Sequence, residues 1–595
     1  MSDVGWLVHL AEVVDRALGW QRLPLPLALA VLAAMRSRMR QHNLYDTTTP
    51  AYRSATMPER PADEAFLTAR TAGGTFNDLA DPAMGAAQTR FGRNVPLHAT
   101  FVESAPDMLS PNPRTISNEL LARRAFIPAT TLNLLAAAWL QFMVHDWFSH
   151  GKNVREQPWE IALDPNDLWP QRPMRIRRTR RDPHSTHAMD GPPTFANVVT
   201  HWWDASQIYG SDRTSQMQFR SGSHGKLTIA ADGLLPIDQH TGTDITGVQG
   251  NWWVGLSLLH GLFSLEHNAV CDRLTIEYPN WTDERLFQTA RLIVAALLAK
   301  IHTVEWTPAI LNRPATVIAA RANWWGLEGE RLHRFFGRLV DDEVVSGIVG
   351  GRTDHFGVPY AMTEEFVAVY RMHQLLPDTY SFRAVHDNAL LSEPQFAAIA
   401  DRHAREFLRH VPPVDALYSF GTMHPGAITL HNFPNSLRQR QAPDGTLIDL
   451  AAIDILRSRE RGVPRYNAFR RYVHRPALTS FDELSDDPEW VAELRRVYDN
   501  DLERVDLSVG LYAEPLPAGF GFSDTAFRIF TLMASRRLNS DRFFTTHFNA
   551  QTYTAAGLQW IADSTMAAVL TRHFPALAPS VRDVKNTFAP WRMST

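Results

Sequence analysis

The spacing of apolar residues constrains this chain more than any other feature. Seven segments (132–148, 255–277, 283–304, 363–376, 393–410, 449–461 and 524–538) carry apolar residues at helical intervals, and period-two alternation is scarce. That pattern predicts a mainly α fold with little β. Thr282-Asp-Glu-Arg opens one helix with a hydroxyl cap and two acids, and Ser392-Glu-Pro-Gln395 reads as a capping box. Two stretches read as loops. Segment 164–191 is rich in Pro and Arg and includes the basic run 175–181, and 221–250 is rich in Gly, Asp and Thr. No stretch reads as a linker, so the 595 residues are expected to fold around one large helical body.

Charge and cysteine usage remove several function classes. The formal net charge is -4, so no global basic field draws nucleic acid. The single cysteine, Cys271, excludes an intramolecular disulfide and suits a reducing compartment. The start of the chain lacks the pattern of a secretory signal, so a cytoplasmic location is expected. The apolar stretch 23–35 is shorter than the roughly 20 residues a bilayer span needs. Arg36-Ser-Arg-Met-Arg40 follows it. Two readings stand for this arm, a helix packed on its own core or a segment resting peripherally on anionic headgroups.

Three polar constellations interrupt the apolar pattern. In Trp139-Leu-Gln-Phe-Met-Val-His-Asp-Trp-Phe148, Gln141 and His145 share one helix face, while Asp146 is rotated about 100° from His145. A lone histidine on such a helix is usually a satisfied core residue. In Thr200-His-Trp-Trp-Asp-Ala-Ser206 the oxygens of Thr200, Asp204 and Ser206 converge if the loop turns, which suits a hard cation or a polar helix cap. In Val369-Tyr-Arg-Met-His-Gln-Leu-Leu376, Tyr370 and His373 are three apart, about 5–6 Å at Cβ on a helix. Such a pair can ligate and oxidise, or simply hydrogen-bond in a core.

Taken in order, these stretches resemble the animal haem peroxidase and cyclooxygenase superfamily, and within it the plant-type fatty-acid α-dioxygenases. The resemblance runs over nearly the whole chain. Leu265-Glu-His-Asn-Ala-Val-Cys-Asp272, Ala299-Lys-Ile-His-Thr-Val-Glu-Trp-Thr307 and Arg459-Glu-Arg-Gly-Val-Pro-Arg-Tyr-Asn467 extend it. It implies a cyclooxygenase-like helical domain over 76–595, preceded by a helical arm over 1–75 that faces either core or membrane. It implies haem b, with His373 as the proximal iron ligand and His145 and Gln141 on the distal side. Tyr370 matches the tyrosine whose radical removes hydrogen from the substrate. Asp146, Thr200, Trp202 (through its backbone), Asp204 and Ser206 match a calcium site. His302, Thr307 and Arg537 match the residues that hold the substrate carboxylate, with Arg536 and Arg542 as neighbouring alternatives.

The departures shape the expected chemistry. Gln249 lies where peroxidases carry a distal arginine, and Val144 and Trp252 stand where they carry the acids that ester-link haem. The haem is therefore expected to be non-covalent. Asp454 aligns with a peroxidase asparagine that hydrogen-bonds the proximal imidazole, which would make His373 more electron-donating. His302 and Thr307 are five apart, so they converge only where the helix loosens. The resemblance implies that a hydroperoxide activates the enzyme and that O2 enters at the α-carbon of a long-chain fatty acid. The 2-hydroperoxy product can decarboxylate to an aldehyde. The alternatives are a peroxidase or mid-chain oxygenase of the same fold, and a non-catalytic haem or lipid-binding protein.

Overall fold

The computed structural model describes residues 5–61, 63–184, 192–248, 250–442 and 444–594. Helices α1 (Gly5–Leu18) and α2 (Leu25–His42) open the chain. The body is built on α3 (Leu134–Trp147), α4 (Val254–Glu277), α5 (Asp283–Ile301) and α6 (Pro314–Trp325). The short α7 (Gly329–Phe336) and α8 (Glu364–Val369) come next, then α9 (Leu450–Glu460) and α10 (Asp524–Asn539). Among the described residues the named strands form four two-stranded antiparallel ribbons, so the mainly α expectation holds.

The centre is two helices buried on nearly every side. Asn133 caps α3 by accepting from Ala136 N–H, and every residue of α3 is buried except Gln141, Val144 and His145. Those three line a cavity. Thr282 caps α5, with Asp283 and Glu284 in its first turn, and each residue from Thr289 to Ile301 is buried. Segment Asp283–Ile310 is long and apolar enough to cross a membrane, yet 94% of its most apolar window is buried in the protein. It is a core helix.

Three sequence expectations need correction. Segment 363–376 is helical only to Val369, and Tyr370 is its C-cap. Beyond the break the chain's carbonyls meet distant donors. Tyr512 Oη donates to Arg371 O, and Arg123 donates to Gln374 O and Leu376 O. Segment 393–410 is not one helix. Ser392 ends a strand paired with Phe382, and α-helix resumes only at His403–His410. The basic run 175–181 is not a loop, because Met174–Arg178 pairs with Val154–Ile161 as a ribbon. Met174 and Ile176 alternate inward with outward arginines and pack on Leu456 of α9. Residues 185–191 of that segment lie outside the described residues.

The N-terminal helices are fastened to the body. Trp20 is fully buried, donates through Nε1 to Asp524 at 2.9 Å and packs on Phe520 and Phe527. Asp15 pairs with Arg528 at 2.6 Å, and α2 lies against α6 and α10.

Burial holds the imidazoles of His267 and His474 down at about 4, and lowers that of His260 as well. Unfolded histidines protonate near about 6.5. Between those values the unfolded chain binds more protons, so stability present above pH about 6.5 is lost as pH falls toward 4. The buried carboxyls of Glu305 and Asp146 are raised and act the other way, but are outnumbered. The melting midpoint followed by circular dichroism should therefore drop steadily from neutral pH to about 4.5. A midpoint that stayed flat across that window would contradict it.

Candidate active site

A cavity of about 400 Å³ lies between α3 and the turn that follows α8. Gln141, Val144 and His145 line it from α3, and Val367, Tyr370, Met372 and His373 line it from the other segment. The two histidines and the tyrosine singled out in the sequence thus meet at one space, although the last two leave the helix to do so. Gln141 is held by two hydrogen bonds, donating to Asn251 O at 3.0 Å and accepting from Trp253 Nε1 at 2.7 Å. Burial pushes the His145 imidazole down to about 4, so it is neutral at physiological pH, and its Nδ1 is buried without a partner. The phenol of Tyr370 is raised well above its usual value by burial, against the pull of Arg537, and stays protonated.

On the other side of His373 its Nδ1 stands 2.8 Å from Asp454 Oδ2, in contact distance though the ring N–H is not aimed along the line. Arg371 holds the other oxygen of Asp454. Asp454 sits on α9, which the 154–178 ribbon braces through Glu460. That carboxylate accepts from Trp159 Nε1 and from the backbone and hydroxyl of Thr179. The carboxylate claims Nδ1 and leaves Nε2 of His373 as the nitrogen open to a ligand. Four arginines also line the cavity. Arg371, Arg440 and Arg457 are neutralised by Asp454, Asp401 and Glu460. Arg461 is in no ion pair among the described residues, and burial lowers it only to about 9, so it remains a cation. Nothing in the isolated motifs singled out Arg461, though it lies within the block Arg459–Asn467.

A second cavity of about 400 Å³ is walled by α2, α6 and α10 with Leu29, Leu32, Ala33, Ala319, Phe527 and Phe530. Its polar lining includes His302, Thr303 and Thr307. These converge because the helix opens after Ile301 into a wide turn, His302–Trp306, in which Thr307 N–H donates to His302 O five residues back. Pro308 is the cause, since it has no N–H to donate to Val304. His302 stacks on Trp306 at 4.6 Å, and its Nδ1 accepts from Trp139 Nε1 at 3.2 Å. Burial keeps His302 neutral, so its proton sits on Nε2, where it can be donated.

Tyr370 lies between the two cavities. It lines the first, and its ring stacks at 6.0 Å on Phe530, which lines the second. Trp147 lies edge-on to both Tyr370 and His302, at 5.4 and 5.0 Å. Arg537 does not reach either cavity wall. Its guanidinium lies between the indoles of Trp147 and Trp203, at 3.8 and 4.1 Å, with Nε and Nη2 unpartnered and no carboxylate within ion-pair distance. The neighbours are occupied. Arg536 donates to Val358 O and Pro359 O, and Arg542 donates to the carbonyls of Phe66, Leu67 and Phe76.

Loop 200–206 folds onto the end of α3 as the sequence suggested. Ser206 donates through N–H and Oγ to Asp146 Oδ1, and Thr200 Oγ1 donates to Asp204 Oδ1 at 2.8 Å. Arg291 holds Asp204 at 3.1 Å. Asp146 Oδ2 is buried without a partner, and the charge of Asp204 helps push its carboxyl up. Among the described residues no three His, Cys, Asp or Glu form a metal cluster, so the set offers two carboxylates completed by hydroxyls. Val144 lines the first cavity and Trp252 donates to Ser257, so neither offers a carboxyl for an ester link. Gln249 lies outside the described residues.

Comparison with known proteins gives the family and the fold. The family described as animal haem peroxidase matches residues 69–585, and the chain belongs to it. Its curated relatives include alpha-dioxygenase 2 of Arabidopsis thaliana, 38% identical over 98% of this chain and 93% of that protein. Alpha-dioxygenase PIOX of Nicotiana tabacum is 37% identical over 98% and 91%. Among solved structures, a fatty acid alpha-dioxygenase of Arabidopsis thaliana superposes with a TM-score of 0.91 at 35% identity, covering 98% of this chain and 92% of its own. A Tyr-to-Phe variant of the Oryza sativa enzyme, solved with palmitic acid, gives 0.91 at 34% over 100% and 98%. Family membership implies haem as the cofactor.

An unpaired buried guanidinium is a burden on the fold, whereas one that closes three carbonyls is a brace. Arg537→Met should therefore melt at a higher temperature than Arg542→Met in the ligand-free protein. The reverse order in a thermal scan would show that Arg537 is the structural one.

Proposed function

We propose that this chain is a fatty-acid α-dioxygenase, which inserts O2 at the α-carbon of a long-chain fatty acid through a radical on Tyr370. The observation that carries this is the position of Tyr370, lining the cavity of His145 and His373 while stacking on the wall of a separate apolar channel. The residues suit haem. His373 would hold the iron through Nε2, Val144 and Val367 would pack the macrocycle, and Arg461 would meet a propionate. Haem, when bound, supplies the one-electron oxidant that a hydroperoxide charges.

The chain's own groups then do the following. Neutral His145 accepts and returns the activator's proton, with Gln141 beside it. His302 donates from Nε2, and Thr307 from its hydroxyl, to the substrate carboxylate, with Arg537 as the counter-charge behind Trp203. That grip leaves the α-carbon next to Tyr370. The oxygen radical of Tyr370 takes a hydrogen atom from the α-carbon, becoming a phenol and leaving a carbon radical. O2 adds to that carbon, and the peroxyl radical takes the hydrogen back from Tyr370. The product is a 2-hydroperoxy acid, and loss of CO2 and water gives the aldehyde one carbon shorter. We also assign a calcium ion to Asp146, Thr200, the Trp202 carbonyl, Asp204 and Ser206. The orphaned Asp146 oxygen and the repulsion of two buried carboxylates support it.

Tyr370→Phe should keep the haem absorption band and abolish oxygen uptake with palmitate. Retained uptake, or products of linoleate oxygenated only in mid-chain in the unaltered protein, would refute the reading. Asp454→Asn should leave haem bound while raising its midpoint potential and lowering the iron–imidazole stretching frequency, because a neutral amide donates less charge to the ring. Spectroelectrochemistry and resonance Raman read both, and unchanged values would remove Asp454 from the electronic argument.

A further inference from the structure

We propose that Arg537 confines the oxidising equivalent to Tyr370 by holding a fixed positive charge against the indoles behind it, an inference that rests on reading Tyr370 as the radical site. The phenol does not stand alone. Trp147 meets its ring edge-on at 5.4 Å, and Trp147 is edge-on in turn to Trp203 and His302, at 5.8 and 5.0 Å. His302 then accepts from Trp139 Nε1. Rings in contact therefore run from the first cavity into the core. A phenol and an indole give up an electron at comparable potentials, so a hole placed on Tyr370 would leak along this run unless something opposes it.

Arg537 opposes it at each step. Its guanidinium lies over the faces of Trp147 and Trp203, at 3.8 and 4.1 Å, and a guanidinium stays charged in a protein. A cation is attracted to an electron-rich indole face, and the same face repels it once an electron has gone. Burial leaves little water to screen that repulsion. Asp146 acts on Arg537 through space without an ion pair, and burial and the charge of Asp204 push its carboxyl up, which weakens the offset. Neither Trp147 nor Trp203 can relieve the charge by losing its N–H proton, because each Nε1 is buried without a partner. Trp139 has an acceptor in His302 Nδ1, but the imidazolium formed there is disfavoured by burial and by Arg537. Tyr370 is different. It lines the first cavity, so it can give one electron to the haem-borne oxidant that a hydroperoxide charges and one proton to solvent in that cavity. What remains is a neutral phenoxyl radical, which the guanidinium does not repel.

Freeze-quench electron paramagnetic resonance of the haem-loaded protein tests this. The protein, carrying tryptophan deuterated on the indole ring, is mixed with a hydroperoxide in the absence of fatty acid. The unaltered protein should give a phenoxyl radical alone. In Arg537→Met the ratio of indole to phenoxyl signal should rise at least about tenfold, whereas Arg537→Lys, which keeps a cation, should stay with phenoxyl. Adding Trp147→Phe to Arg537→Met should return the spectrum to phenoxyl, a reversal that damage to the fold would not produce. Trp147→Phe alone should leave the phenoxyl yield unchanged, and that arm does not depend on how well Arg537→Met folds. The proposal falls if Arg537→Met gives phenoxyl alone, if Arg537→Lys behaves like Arg537→Met, or if the indole signal survives Trp147→Phe. It also falls if Trp147→Phe by itself lowers the phenoxyl yield. An unaltered protein without any phenoxyl signal would sink the radical reading and this inference together, while a phenoxyl signal with a failed Arg537 arm would sink this inference alone.

Discussion

A helix buried on every side must hand its polar groups to a partner, and α3 and the end of α5 hand theirs to each other. Trp139 Nε1 donates to His302 Nδ1, and Trp306 Nε1 donates to Ala136 O at 2.9 Å. Without these contacts two indoles and an imidazole would be stranded in the core at a cost of a few kcal/mol each. The wide turn His302–Trp306 is what lets one segment make both bonds. It also sets the tautomer of His302, so a packing requirement at the helix junction decides which ring nitrogen is left to donate. Stability and chemistry here rest on the same pair of hydrogen bonds.

The charged core follows a second logic. Most buried arginines are closed off, as with Arg459, which grips Asp506 through Nε and Nη2 at 2.7 Å each and also caps Met108 O and Pro111 O. Arg461 and Arg537 are the exceptions at the site, one on the wall of the first cavity and one behind the wall of the second. Burying a cation without an anion is unfavourable unless a ligand brings the anion. Under the proposed function each would be matched by a carboxylate, a porphyrin's in one case and a substrate's in the other. Arg537 is kept tolerable meanwhile by two indole faces.

The long helices were legible in the sequence because apolar spacing is written locally, and the three side chains named there, His145, Tyr370 and His373, line one cavity. Their joint geometry was not legible. Tyr370 and His373 were expected on one helix face, yet they meet at the cavity from a broken helix whose carbonyls are claimed by Arg123 and Tyr512, residues more than a hundred positions away. The His302–Thr307 pair shows the opposite case. Spacing of five demanded a loosened turn, and Pro308 supplied a local reason for it. The arginine run 175–181 was misread because its charge drowned a four-residue alternation, Met174-Arg-Ile-Arg177, that ordinary strand reasoning would have caught.

Two cavities meeting at one phenol also account for the chemistry this chain avoids. The first cavity lies beside His145 and the second runs along α2, α6 and α10, and the lining residues of the two spaces do not overlap. Tyr370 lines the first and stacks on Phe530 of the second, so in the proposed reaction an electron hole would cross through it while the bulky molecules would not. On the proposed reading, the carbon that faces the phenol would be set by how far the carboxylate travels before His302 and Thr307 stop it. A chain stopped at its head exposes its first methylene, whatever lies further along the tail. On that reading a saturated acid would serve as well as an unsaturated one, and the selectivity would reside in the wide turn rather than in the shape of the channel.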